Sequence, residues 1–375
     1  MANTLTTFMP KLLAQGLMAL RENAIMPKLV NLDYGTLAQE KGAVINIPIP
    51  SEITAGDVTP AAVPPGATDI VPTETTLTLD QWKKADFHMN DQDLKEIMDG
   101  SIPLQAAEAI KAIVNVVDAA ILGTYIKVYG YEGTAGTTPF ASDVTAATAA
   151  RKRLFNQLAP PGDRRFVMDT DCEANALGLR AFQDMSFSGS NQGLIEGNTG
   201  RKLGFDWAMD QNIPTHTAGT ASGATADGST YAVGVKTIVM ANAGTGTIVE
   251  GDVITFAGDS QPYAISTGDA NVASGAGSIV FEPGLKVEIS SAVAITVKED
   301  HVVNLAFHRD AFAFASRPLL DTQGLGNAIM AATDPVSGLS LRLEVSREYK
   351  RTNYCFDILY GCECIRPALA TRVAG

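Results

Sequence analysis

Between Thr215 and Val302 the chain uses leucine once, at Leu285, and relies instead on Val, Ile, Thr, Ala and Gly. Leucine is among the better helix formers, whereas β-branched side chains suit a pleated surface. This stretch therefore has little from which to build an amphipathic helix. Short strands are expected at Val235–Met240, Val253–Phe256, Tyr263–Ser266, Ser278–Phe281, Val287–Ile289 and Ala294–Val297. Turn clusters such as Gly244-Thr245-Gly246 and Gly275-Ala276-Gly277 separate them, and the run Thr215–Gly228 reads as a flexible lead-in. The spacing predicts a small all-β barrel or sandwich over residues 215–302. Alternating helix and strand patterns precede it and resume after His301, so it reads as an insertion into a mixed host of α+β class.

The host divides by pattern. Residues 1–42 form an arm: Leu12, Leu13, Leu17 and Leu20 share a helical face, Pro10 is placed to open that helix, and Pro27 ends it. Residues 43–90 read as an extended hairpin. Ile45, Ile47 and Ile49 alternate, as do Leu77 and Leu79 against Thr76 and Thr78, and Pro48 and Pro50 confine the first strand to an edge. The tip between them is rich in Pro and Gly and poor in apolar residues, so it needs a partner surface. Residues 91–142 hold the clearest helix, with Asp91 or Asp93 capping a short first segment and Ser101 capping the next ahead of Pro103. Its stripe of Ala107, Ile110, Val114, Val117, Ile121 and Tyr125 is widened by Ala106, Ala109, Ile113, Val116 and Ala120, suiting a helix laid across a sheet.

Residues 143–214 alternate. A helix capped by Asp143 runs to Leu158, a strand comes next at Arg165–Met168, and then a second helix at Asp171–Phe182. A loop at Ser186–Gly200 leads to a strand at Leu203–Met209. Residues 303–375 complete the host with a strand at Asn304–Phe307, a helix-like run at Asp310–Ala315, and long strands around Leu341–Tyr349 and Asn353–Ile365.

Charge and motif content exclude more than they assign. A net charge of −13 with no long basic run argues against a nucleic-acid groove. Charged residues make up only 18%, below the usual quarter, as expected of a surface partly covered by neighbours. The N-terminus lacks a secretory pattern, and Ile110–Leu122 is too short to span a bilayer. A soluble, cytosolic chain is expected at synthesis. Cys172, Cys355, Cys362 and Cys364 show no CxxC spacing, and His88, His216, His301 and His308 fall in four separate segments. No catalytic, cofactor-binding or metal-ligating residue is assigned. His308-Arg309-Asp310 reads as a turn in which Asp310 caps the next helical run.

Several segments in order resemble the major capsid proteins of tailed phages. They are Leu203-Gly204-Phe205-Asp206-Trp207 with Asn212-Ile213-Pro214, and Phe307–Ala315 with Arg317-Pro318-Leu319. Further on come Gly338–Arg342, Asp357–Gly361 and Arg366–Ala370. The resemblance implies the HK-ninety-seven type of capsid fold, with N-terminal arm, extended loop, long spine helix, and mixed P and A domains. Gly251–Gly258 is similar to part of the telokin-like insertion of P-twenty-two-like coat proteins. The same resemblance implies homo-oligomerisation into hexamers and pentamers of an icosahedral head, with a scaffolding protein, a portal and a decoration protein as partners. Packaged double-stranded DNA would lie nearby without specific contact, no cofactor or membrane is implied, and the location is the virion after assembly in the host cytoplasm. The extended loop would contact a neighbouring subunit through Ile53, Gly56, Val58, Pro60, Pro64, Pro65, Ile70 and Pro72. Rival readings are another phage structural protein or adhesin, whose β domain binds a receptor or glycan, and a cryptic enzyme.

Overall fold

A computed structural model describes residues 5–34, 44–50, 53, 55, 57–58, 60, 69–70, 72–91, 101–184, 195–197, 199–274, 277–319 and 328–375. Helices α1 (Leu5–Asn23) and α2 (Met26–Leu29) open the chain. Strands β1 (Val44–Ile49), β2 (Thr73–Thr78) and β3 (Gln81–Asn90) come next, and helix α3 (Ser101–Gly123) succeeds them. α1 runs through Pro10 rather than starting there, and its Leu12, Leu13 and Leu20 are buried. The expected cap at Asp93 lies outside the described residues.

On α3 the predicted stripe is buried at Ala106, Ile110, Ile113, Val114, Val117 and Ile121, whereas Val116 turns outward. By length and composition Gln105–Lys127 is apolar enough to cross a membrane. Its apolar face is instead covered by α1, β3 and the long C-terminal strand Arg351–Cys364. One stripe buried and the opposite face exposed is the pattern of a helix laid on a protein core.

The chain continues through β4 (Gly130–Gly133), α4 (Thr145–Asn156), β5 (Arg164–Met168), α5 (Thr170–Gly178) and α6 (Arg180–Gln183). Asp143 accepts the Thr145 amide at 2.8 Å at the start of α4, and Asp169 caps α5 through the Cys172 amide. The predicted Asp171–Phe182 helix is thus two helices, broken at Leu179, where the backbone is extended. The Leu203–Met209 strand is likewise a tight hairpin, β6 (Arg201–Lys202) to β7 (Phe205–Met209), turning at Leu203 and Gly204 with positive φ. Residues 186–194 and 198 of the expected 186–200 loop lie outside the described residues.

Beyond β8 (Thr215–His216) come β9 (Thr237–Val239), β10 (Val253–Phe256), β11 (Tyr263–Thr267), β12 (Ser278–Glu282) and β13 (Ile295–Val297). They form an antiparallel sheet in the order β13-β10-β11-β12-β9. The run expected to be a flexible lead-in bonds to both edges of this sheet. On one side the Ala226 amide donates to Val293 and the Ile295 amide to Ala224. On the other, the Asp227 amide donates to Val239 and the Ala241 amide to Thr225. The sheet therefore closes on itself around a core of its own, including Ile238, Ile254, Phe256, Tyr263, Ile279, Phe281 and Leu285. Val287–Ile289 is not a strand; Ile289 only bridges Tyr231. The expected turn at Gly275-Ala276 lies outside the described residues.

The C-terminal part supplies β14 (His301–His308), β15 (Phe312–Arg317), β16 (Ala328–Thr333), β17 (Ser340–Glu348), β18 (Arg351–Cys364) and β19 (Ala370–Ala374). One sheet runs β4-β19-β14-β5-β7-β6 with β8 on the start of β14. A second runs β15-β18-β17-β16, and β3 joins it along β18. Gln81–Asn90 is therefore an edge strand of the body, and the projecting hairpin ends near Asp80. The helix-like run predicted at Asp310–Ala315 is a short 3-10 turn (Arg309–Ala311) continued by strand. Its cap is the His308 ring, which accepts the Asp310 amide at 3.2 Å, and not Asp310 itself. One hydrophobic core joins α1, α3 and both large sheets.

Candidate assembly surface

The hairpin is built from residues that must alternate. β1 and β2 pair antiparallel from Val44 opposite Thr78 to Ile49 opposite Thr73. Ile45, Ile47 and Leu77 point to one side and are buried together with Leu79 against Ala313, Ala315 and Ile365. β15 serves both sides of this seam, since Phe312 and Phe314 face the main core while Ala313 and Ala315 face the hairpin. Close approach at the foot of the hairpin depends on Gly361. A Cβ there would lie 2.3 Å from the Thr78 carbonyl oxygen.

Past this seat the burial stops. Ile53 is 72% exposed, Val58 93% and Ile70 67%, and Pro60 and Pro72 are exposed as well. Gly56, Pro64 and Pro65 lie outside the described residues. Between Lys41 and Lys83 the chain has no basic residue, while Glu52, Asp57, Asp69, Glu74 and Asp80 are acidic. The projecting segment thus offers aliphatic side chains on an acidic background. Covering each of these branched side chains is worth about 1.5–3 kcal/mol, a gain the isolated chain does not collect.

No family model matches the chain, and no curated protein matches it. Solved structures do. A chain of Mycobacterium phage Che8 is 17% identical and superposes with a TM-score of 0.53, covering 93% of this chain and 90% of that one. The capsid structure of cyanophage P-SCSP1u is 12% identical with a TM-score of 0.51, covering 94% of this chain and 88% of that one. The chain has a phage-capsid fold.

Within this capsid fold the four cysteines are free thiols, two buried and two half-buried. Burial pushes the thiols of Cys355 and Cys362 up to about 11 and about 12, and those of Cys172 and Cys364 higher still. All four are thiols rather than thiolates at neutral pH, and none is an activated nucleophile. No group of three or more His, Cys, Asp or Glu able to hold a metal occurs among the described residues. A groove of about 460 Å³ separates the hairpin base from the closed sheet. Among its lining residues are Thr73, Glu74, Lys127, Lys236 and Glu282. Lys127 pairs there with Glu363 at 2.6 Å and Lys236 with Glu282 at 2.7 Å, so its cations are already neutralised.

Sequence spacing separates the four histidines, but the capsid fold brings two of them together. The rings of His216 and His301 lie 5.3 Å apart, beside Tyr125, Asp252 and Arg372. These residues are far apart in sequence and form no motif, so only tertiary structure reveals the cluster. His88 is exposed on β3 and His308 is buried in its turn, both away from that group.

Proposed function

We propose that this chain is the major capsid protein of a tailed bacteriophage, assembling as hexamers and pentamers into an icosahedral head around double-stranded DNA. The observation that carries the reading is a capsid-fold likeness spanning nearly the whole chain. The exposed aliphatic side chains of an otherwise well-seated hairpin support it, because a projecting apolar segment is stabilised only by a second surface. In this reading residues 43–80 reach over an adjacent subunit through Ile53, Val58, Pro60, Ile70 and Pro72 together with Gly56, Pro64 and Pro65. The chain then divides into arm (1–42), extended loop, spine helix (91–142), mixed P and A domains (143–214 and 303–375), and an inserted β domain (215–302). A scaffolding protein and a portal act during assembly in the host cytoplasm, and a decoration protein can join the finished shell. The work of the molecule is assembly rather than catalysis.

Expression of the full chain with its scaffold, then negative-stain microscopy and native mass measurement, tests this. Closed shells, capsomer rings or tubes are expected, and a strict monomer under those conditions would refute the reading. Replacing residues 53–72 with a short Gly-Ser turn should leave the fold intact and abolish or weaken the shells. Undisturbed shells would remove the role given to the hairpin while leaving the capsid reading in place.

A further inference from the structure

Five side chains from five separate parts of the chain meet where the closed β-sheet joins the body. Tyr125 lies just past the end of α3, and His216 sits on β8, the strand leading into the closed sheet. Asp252 lies within that sheet's part of the chain, His301 begins the return strand β14, and Arg372 is on the C-terminal strand β19. Asp252 and Arg372 are completely buried, and His216, His301 and Tyr125 are nearly so.

Their hydrogen bonds form a continuous chain. His216 Nε2 faces the Asp252 carboxylate at 3.0 Å and donates to it, and Nδ1 on the other side of the ring lies 3.0 Å from the Tyr125 hydroxyl. The remaining capacity of Asp252 is taken by backbone. The Val249 amide donates at 2.8 Å, and the Gly219 amide lies 3.1 Å from both oxygens. Arg372 donates to the carbonyls of Val128 at 2.8 Å, Gly251 at 2.8 Å and Ile126 at 3.0 Å, with its guanidinium over the Tyr125 ring. One cation thus ties the turn that continues the long helix directly to the loop that carries Asp252.

The charges balance. One buried cation faces one buried carboxylate. Burial pulls His301 down to about 4, so that ring adds no charge at neutral pH. Shape adds to this. Gly251 has φ of +88°, and a Cβ there would come within 3.3 Å of His216 Cε1 and Ile126 Cγ2, so the loop sits directly on the joint. A buried charged network is costly when any member is withdrawn, so independent movement of the closed sheet must break all of these bonds together.

We propose that Tyr125, His216, Asp252 and Arg372 form a lock that makes the closed β-sheet and the C-terminal end of the long helix move as one body. The sheet has its own core, so the lock fixes orientation and is not what keeps the sheet folded. Rotation of the helix end would carry the sheet with it. This coupling is independent of what the chain assembles into.

Spin labels at exposed positions, introduced as Asn115→Cys on the helix and Val287→Cys on the segment that joins β12 to β13, read that orientation as a distance distribution. A single narrow distribution is expected with the lock intact. His216→Ala should broaden it and raise amide exchange at Gly219 and Val249 at least tenfold, while circular dichroism shows both sheets retained. Tyr125→Phe removes one hydroxyl without changing ring packing, and should produce the same changes more weakly. It decides the matter if His216→Ala fails to fold. A distribution that stays narrow, with unchanged exchange, in a folded His216→Ala or Tyr125→Phe protein would overturn the lock.

Discussion

The closed sheet and the hairpin are both β-rich appendages on one body, yet they are stabilised in opposite ways. The closed sheet brings its own core, in which Phe281 packs edge to face on Phe256 and Tyr263, and those two rings tilt against each other, with all centroids 5.2–5.5 Å apart. Among the described residues the hairpin has two strands and no core of its own, and Ile45, Ile47, Leu77 and Leu79 are buried by borrowing Ala313, Ala315 and Ile365 from the body. Two strands alone are marginal in water, whereas a closed sheet of several strands can sustain itself. The first appendage therefore depends on the body only for its orientation. The second depends on the body at its foot and, where the borrowed surface ends, exposes what it has left.

The largest effect that separates the two is expected inside the closed sheet. Phe281 is fully buried and touches both other aromatics, so Phe281→Ala should cost about 3–5 kcal/mol. If the sheet is a unit with its own core, the loss appears as early melting and faster exchange confined to residues 224–297, with the body's transition unmoved. Simultaneous loss of protection across α3 and β14 would mean that the two cores are one.

This contrast also explains which parts of the fold are legible in the sequence. The α3 stripe and the alternations of β1 and β2 are readable because each element buries one face and exposes the other. β15 is not. Phe312 and Phe314 face the main core while Ala313 and Ala315 face the hairpin, so both sides are apolar, and alanine gives a helix-like run. β3 reads as part of the hairpin because QWKKADFHMN is polar along most of its length. Among the described residues it is an edge strand paired with β18 alone, anchored by Trp82 Nε1 donating to Asp357 at 3.1 Å. The joint at His216 is invisible in the sequence because each of its members is an ordinary residue until the chain folds. The exposure of Ile53, Val58 and Ile70 is legible as well, since the composition around them offers little to bury at home.

The arm is a third attachment: it joins the main core through Leu12, Leu13, Leu20 and Met26, with a buried carboxyl beside that apolar seat. Asp118 on α3 is buried and accepts the Ile25 amide at 3.3 Å, just before α2, while its other oxygen has no hydrogen-bond partner. Burial, and then the neighbouring carboxylate of Asp210, push the Asp118 carboxyl up to about 7, against the opposing pull of the Ile25 and Met26 amides and Lys28. The folded state therefore holds this proton more tightly than the unfolded chain does. Stability is greatest below pH 4 as far as this group is concerned, and falls as pH rises from about 4 to about 7. At 1.36 kcal/mol per unit the full penalty above pH 7 is about 4 kcal/mol. Asp118→Asn keeps an acceptor for the amide and removes the charge. Denaturation curves should show the variant more stable by up to about that amount at pH 8 and equal to the parent near pH 4. A parallel pH dependence in both proteins would show that Asp118 carries no such penalty.

The hairpin's own seat is smaller and more forgiving. Leu77 is fully buried, but its neighbours there are two alanines and a few aliphatics on a two-stranded element that can settle inward. Leu77→Ala should cost about 2–3 kcal/mol, the lower part of the usual range for leucine truncation. The change should be local, with limited proteolysis cutting between residues 44 and 80 while the closed sheet keeps its protection. Destabilisation of the closed sheet by this substitution would mean that the two appendages support each other across the groove between them.

The smallest effect on the isolated chain should come from the tip, and there the comparison meets assembly. Val58 is 93% exposed, so the folded monomer gains almost nothing from its side chain. Val58→Asp should change monomer stability by no more than about 0.5 kcal/mol, as for other surface substitutions away from special features. In an assembled shell the same change would place a carboxylate where an apolar surface closes over the hairpin, and a buried unpaired charge is far more costly than an exposed one. Equal melting curves combined with failed or fragile shells are therefore expected. Shells formed as readily as those of the parent, with melting unchanged, would mean that Val58 stays in solvent after assembly and that contact between subunits lies elsewhere on the hairpin.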